Sequence, residues 1–211
     1  ASVELLRLGV AVEHGLRGCR VSGARVTAGP MMAAAGYAEG AAGWSLARAD
    51  LDAALLAAAG AAGVQVRVGV RAAGLLLQDG VVRGASLDTG AGSIRVPAVV
   101  TIAADGCDST LARAAGLGGR AGRRRPVSAA LVQGIDLADA AREIHVGRGR
   151  WLGLTSLPGG LTSLIAAGIP PPGAGERDGW PRGVLASFPE FAISAAQVRL
   201  ASPVTVRDEG G

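Results

Sequence analysis

The chain has no lysine and no asparagine, only two cysteines and two histidines, and few aromatic residues for its 211 positions. Each shortage excludes something. Cys19 and Cys107 lie far apart and form neither a disulfide framework nor a metal-ligand spacing, so a reducing, cytoplasmic location is expected. His14 and His145 have no second ligand and no paired Ser or Cys, so both are read as structural, and no metal site is expected. No apolar run reaches the roughly 18 residues needed to cross a bilayer, because Arg, Asp or Gly interrupts each one. No charged-then-apolar signal pattern opens the chain. A soluble protein is expected. With aromatics at 3%, the core has to be built from Val, Leu, Ile and Ala, and Ala buries little area per residue.

What is abundant is alanine, glycine and arginine. All 21 basic residues are Arg, a uniformity that reads as coding bias, so the net charge of +4 and the pI near 10.3 say little about a partner. The one dense cluster, Arg120, Arg123, Arg124 and Arg125, sits among glycines with no aromatic platform for base stacking. It reads as a solvated loop, and no nucleic-acid partner is expected.

The length suggests one large domain or two small ones. Residues 3–10 read as a short amphipathic helix, and residues 20–36, with Pro30 among β-branched residues, as a hairpin. From Arg48 the period becomes helical, with Leu51, Leu55, Ala58, Ala59 and Ala62 on one face and Gly63 at the end. Strands are expected at residues 64–68, 73–77, 81–87 and 94–96, the middle two joined at Asp79-Gly80, a strong hairpin signal. The apolar run 98–103 reads as a strand buried on both faces, which implies a sheet covered by helices. Beyond Leu117 the character is β-rich, with strands at 127–135, 143–146, 151–156 and 161–167. Short helical pieces at 184–188 and 192–198 and a strand at 204–206 follow.

The chemistry concentrates where the 98–103 run ends. An α/β protein places ligands at the carboxyl ends of its strands. Gly106 lets a ligand approach the backbone without a Cβ in the way, and Asp108 or Ser109 can cap the helix 110–115 that follows. Asp105 repels phosphate but accepts well from ribose or ribityl hydroxyls. A plain turn with a capped helix after it fits the same residues.

Residues 102–113, Ile-Ala-Ala-Asp-Gly-Cys-Asp-Ser-Thr-Leu-Ala-Arg, closely resemble the Asp-Gly motif of the aromatic hydroxylases, other single-component flavin monooxygenases and geranylgeranyl-reductase-like oxidoreductases. The step from Asp105 to Arg113 looks most like the reductase-like branch. Residues 46–55 resemble that superfamily's Arg-x-x-Leu/Phe-Asp-x-x-Leu helix start. Residues 143–154 with 157–160 look like its substrate-sheet hairpin. The resemblance implies a mixed α/β (α+β) fold: an incomplete FAD/NAD(P)-binding Rossmann-like domain with an inserted β-meander, plus an antiparallel substrate sheet. Residues 1–47 would form an N-terminal helix and hairpin partly in the substrate domain, 48–116 the incomplete FAD-binding domain, and 117–211 a truncated β-rich substrate domain.

By the same resemblance, the cofactor is FAD. Arg48 would contact the phosphates of the flavin nucleotide through a bidentate fork, and Asp105 and Gly106 would line the ribose and pyrophosphate. Ser109 and Arg113 would stand beside them, Ser109 also as a cap and Arg113 also as a helix-surface residue. No catalytic side chain is expected, since in such enzymes the flavin does the redox chemistry. NAD(P)H is a candidate electron donor, because in some members the Asp-Gly segment also serves a nicotinamide nucleotide. The expected partner is a small or lipophilic organic substrate. Two departures stand out: no Gly-x-Gly-x-x-Gly precedes a helix anywhere, and no Gly-Asp-type turn follows residues 204–207. The chain therefore reads as an internal fragment of an FAD-dependent reductase or monooxygenase, inactive alone. The rival reading is a non-enzymatic β-rich binding module or an arginine-cluster nucleic-acid binder.

Overall fold

A computed structural model describes residues 2–10, 16–39, 41–106, 108–117, 124–137, 141–173, 175–191 and 195–210. His14, Cys107, Arg120 and Arg123 lie outside them. The chain divides into two compact units, residues 1–63 with 124–209, and residues 64–123 with 210–211.

The first unit is built on one large sheet. Strands β8 (Arg124–Gln133), β11 (Leu161–Ala167), β10 (Arg150–Leu157) and β9 (Ala141–Gly147) pair antiparallel in that spatial order. Their hairpins follow from the loops. Arg148-Gly149 connects the residues Gly147 and Arg150 that pair across β9 and β10, and Pro158-Gly159-Gly160 connects β10 to β11 with both glycines at positive φ. All four strands overlap the expected ranges, with β8 starting three residues earlier and ending two earlier than expected and β9 starting two residues earlier. The early hairpin joins the same sheet, since β2 (Gly23–Ala28) runs parallel to β9 and pairs with β3 (Met31–Gly36) across Gly29-Pro30. Strand β12 (Arg199–Leu200) and strand β13 (Thr205–Gly210) both pair with β8 at the other edge.

Alternation gives this sheet two different faces. Ala130, Val132, Leu152, Leu154, Leu164 and Ala166 point to one side, where Trp180, Val184 and Leu185 of a helix at Trp180–Ala186, with Phe188, Ala195, Val198 and Val204, close a core. Leu152, Leu154 and Leu164 are fully buried, each contributing about 1.5–3 kcal/mol of transfer free energy. On the other side a two-stranded ribbon, β1 (Gly18–Val21) with β4 (Gly43–Leu46), lies near β10 and leads into helix α2 (Arg48–Ala61). The inward positions of α2, among them Leu51, Leu55, Ala58 and Ala59, are half-buried.

The second unit holds an antiparallel meander, β5 (Arg71–Gln78), β6 (Val81–Asp88) and β7 (Ser93–Pro97), with the five-residue helix Thr110–Ala114 packed on β5. Asp79 and Gly80 have φ of 50° and 76°, the two left-handed positions of a type I′ turn. Here the sequence expectation needs correction. Residues 64–68 and 98–103 form no strand, and the second run is not buried on both faces: Val99 is 90% exposed and Ile102 82%. An apolar run forms a strand only when a neighbouring strand takes its N–H and C=O groups; the Ala98 N–H reaches the Arg83 carbonyl of β6 at 2.9 Å, but no strand among the described residues pairs with either run beyond that.

Candidate functional site

In the second unit, Asp105, Gly106, Ser109 and Arg113 come together in one turn. The Ser109 N–H donates to the Gly106 carbonyl (3.1 Å), and Ser109 Oγ, buried, accepts from the Ala112 N–H at 2.9 Å as the helix N-cap. The same hydroxyl donates its proton to the Asp105 carboxylate. This bond is the main reason the Asp105 carboxyl lies below the usual carboxylate range; backbone N–H groups and the Arg113 charge act in the same direction, against a desolvation contribution. Arg113 Nη2 folds back to the Asp108 carbonyl at 3.1 Å. Ser109 and Arg113 thus both shape the turn, and Asp105 is left exposed, ionised and accepting. Gly106 has φ of +94° and open space where a Cβ would stand, so a side chain there would be strained while a ligand meets no obstacle. An ionised acceptor beside uncovered backbone fits a hydroxyl-rich nucleotide.

Arg48 belongs to the first unit. It opens helix α2 with 83% of its side chain exposed, its Nε donating to Asp52 Oδ1 at 2.7 Å, one helical turn along. That exposed pair contributes little to stability. Arg48 also stands at a cavity of about 580 Å³ between the ribbon and the sheet. Leu131, Ser163 and Thr155 are lateral neighbours on β8, β11 and β10, and with Leu157 and Arg142 they floor the cavity. Trp44, Leu46 and Tyr37 wall it from the other side. The floor is mixed: two hydroxyls, two leucines and one exposed guanidinium with no ion-pair partner among the described residues. Such a cavity suits an organic molecule with an apolar body and a few polar groups.

Sequence reasoning missed these cavity residues. Strand alternation was visible and sorts Leu131 from Val132, or Thr155 from Leu154, but it does not say which set meets the helix and which the ribbon. Trp180 is in the core. Of the arginine cluster, Arg124 and Arg125 begin β8. Among the described residues no cluster of His, Cys, Asp and Glu has the grouping to hold a metal, and no helix is long and apolar enough to cross a membrane.

No family model matches the chain. Over 128 residues, 60% of its length, it is 34% identical to a digeranylgeranylglycerophospholipid reductase of Methanospirillum hungatei, of which it covers 30%. Its fold matches a geranylgeranyl bacteriochlorophyll reductase-like protein of Thermoplasma acidophilum at a TM-score of 0.78 and 20% identity, over 98% of this chain and 54% of that one. A flavin-dependent brominase matches equally well, with a TM-score of 0.78 and 18% identity over 98% of this chain and 55% of that one. The chain therefore spans about half the length of these structures, and less of the curated relative. The mixed α/β fold is the one shared by these flavoproteins, and the resemblance read from the motifs is borne out.

Proposed function

Taking that shared fold as the premise, we propose that the chain is part of an FAD-dependent oxidoreductase, of reductase or monooxygenase type, acting on a small or lipophilic organic substrate. The observation that carries this is the Asp105-Gly106 turn, an ionised hydroxyl acceptor next to open backbone, in a chain whose fold follows flavin enzymes over almost its whole length. In this reading Asp105 accepts from ribose hydroxyls, Gly106 admits the pyrophosphate to the backbone, and Ser109 and Arg113 hold the turn in shape. Arg48 exchanges Asp52 for a phosphate, a better match for its fork. When bound, the flavin supplies the electron transfer, and the chain's own residues bind, orient and exclude water.

The cavity over Leu131, Thr155 and Ser163 is the proposed substrate pocket, with Trp44 and Leu157 keeping water from an apolar body and Arg142 meeting a polar end. The reductase relative at 34% identity favours reduction of an unsaturated lipophilic substrate over hydroxylation, with NAD(P)H as the proposed electron donor. The Asp105 turn and Arg48 would then serve the cofactor and the large sheet the substrate. No observation favours a non-enzymatic module or a nucleic-acid binder.

The test is equilibrium titration of the full-length protein with FAD. Arg48→Ala and Asp105→Ala should each weaken binding about tenfold, the loss of one charge-assisted hydrogen bond. Unchanged affinity in both overturns the site assignment.

A further inference from the structure

On the face of the large sheet opposite the cavity, the apolar surface stops at β9. Cross-strand register carries one row from Ala130 through Leu164 and Leu154 to Glu143 and then Arg25. The adjacent row runs from Ala166 through Leu152 to His145. Glu143 and His145, two apart on β9, share this face and are buried, at 7% and 4% exposure. Arg25 Nη1 donates to Glu143 Oε1 at 3.0 Å. His145 Nε2 lies 3.1 Å from Glu143 Oε2, and its Nδ1 lies 2.7 Å from Glu190 Oε1, on the 3₁₀ turn Pro189–Phe191 after the core helix. Phe191 packs edge-on against the imidazole, with centroids 4.6 Å apart, and Phe188 stands at 6.4 Å. The other cation nearby, Arg150 of β10, is engaged elsewhere: it donates to the Ser187 carbonyl at 2.6 Å and lies over the Phe188 ring.

A neutral imidazole has one N–H and one lone pair, and an ionised carboxylate only accepts. With a carboxylate oxygen at each ring nitrogen, a neutral ring would aim its lone pair at one of them where little water can intervene. A ring protonated at both nitrogens donates to both. The four groups then alternate in sign from Arg25 through Glu143 and His145 to Glu190, which offsets the cost of burying them.

We infer that His145 is held as an imidazolium between Glu143 and Glu190, and that its second proton latches the Pro189–Phe191 turn, with the helix before it, onto the back of the sheet. Arg25 fixes Glu143 from the neighbouring strand of the sheet, and Glu190 comes from 45 residues beyond His145 along the chain. Loss of the proton removes one of the two donors, and the turn is then held by the apolar contacts of Phe188 and Phe191. The latch lies away from the cavity face and stands independently of the function proposed above.

Two measurements on the full-length protein test it. In ¹⁵N-histidine-labelled protein, with the His145 signal identified by its loss in His145→Gln, both ring nitrogens carry protons at about pH 7. Glu190 is a third exposed, so Glu190→Gln leaves the fold intact; it lowers Tm by about 3–6 °C at mildly acidic pH. The gap closes as pH rises, because stability from a bound proton is present at low pH and lost as the proton leaves. A single ring N–H at about pH 7, or a Tm gap that is the same at every pH, overturns the latch.

Discussion

The two units of the molecule handle apolar sequence differently. In the first, the alternating residues of β8, β10 and β11 find a helix on one side, and Leu152, Leu154 and Leu164 disappear from solvent. In the second, the valine-rich residues 64–68 and the apolar run 98–103 form no strand and leave Val68, Val99 and Ile102 exposed, while the meander beside them pairs normally. Hydrophobicity alone therefore does not make a strand. The strands of the meander and of the large sheet each pair with a neighbouring strand, whether through a hairpin or from far along the chain, and among the described residues the two exposed runs belong to no sheet.

The sharpest way to break this contrast is a pair of substitutions. Leu164→Ala, at the centre of the packed face, should destabilise by about 2–5 kcal/mol, read by denaturant unfolding. Val99→Ser, in the exposed run, should change the stability of this chain by less than about 0.5 kcal/mol. An equal cost at Val99 would mean that the run is packed and that the units do not differ as described.

A smaller effect is expected at the Asp105 turn. Ser109→Ala removes the N-cap and should cost about 1 kcal/mol. It also removes the largest cause of the lowered Asp105 carboxyl, so the Asp105 titration followed by NMR should move up toward the ordinary carboxylate value. The sign follows from linkage: a carboxyl lowered by folding contributes stability above its unfolded value, lost as pH falls through the folded one. Ser109→Ala should therefore flatten the acid limb of the stability curve. An unmoved Asp105 titration would show that the hydroxyl does not reach it.

The smallest effect belongs to the exposed Arg48–Asp52 pair. Asp52→Asn should change stability by about 0.5 kcal/mol or less while freeing Arg48, so FAD affinity should rise slightly or hold. A marked fall in FAD affinity would mean that Asp52 positions Arg48 for the phosphate rather than competing with it.

Much of this was legible in the sequence for physical reasons that differ by region. The hairpins at Asp79-Gly80 and Pro158-Gly159-Gly160 announce themselves because few other residues accept a positive φ, so turn and register come together. Helix α2 shows in the spacing of Leu51, Leu55 and Ala58. The Asp105-Gly106 turn and its Ser109 cap were readable because a cap needs a short hydroxyl just before the helix. The cavity floor was not. Leu131, Thr155 and Ser163 become neighbours only when three strands align, and whether they face the helix or the ribbon is a property of layers. His145 was read as structural, but its place between two carboxylates depends on Glu190, brought from far along the chain.

The central claim is that the Asp105 turn serves the flavin and the sheet cavity serves the substrate. The most direct measurement is FAD titration of the full-length protein alongside Asp105→Ala and the cavity variant Leu131→Ala. The account predicts about tenfold weaker FAD binding in Asp105→Ala and near wild-type binding in Leu131→Ala. Tight, stoichiometric FAD binding in Asp105→Ala, or a loss confined to Leu131→Ala, would contradict it.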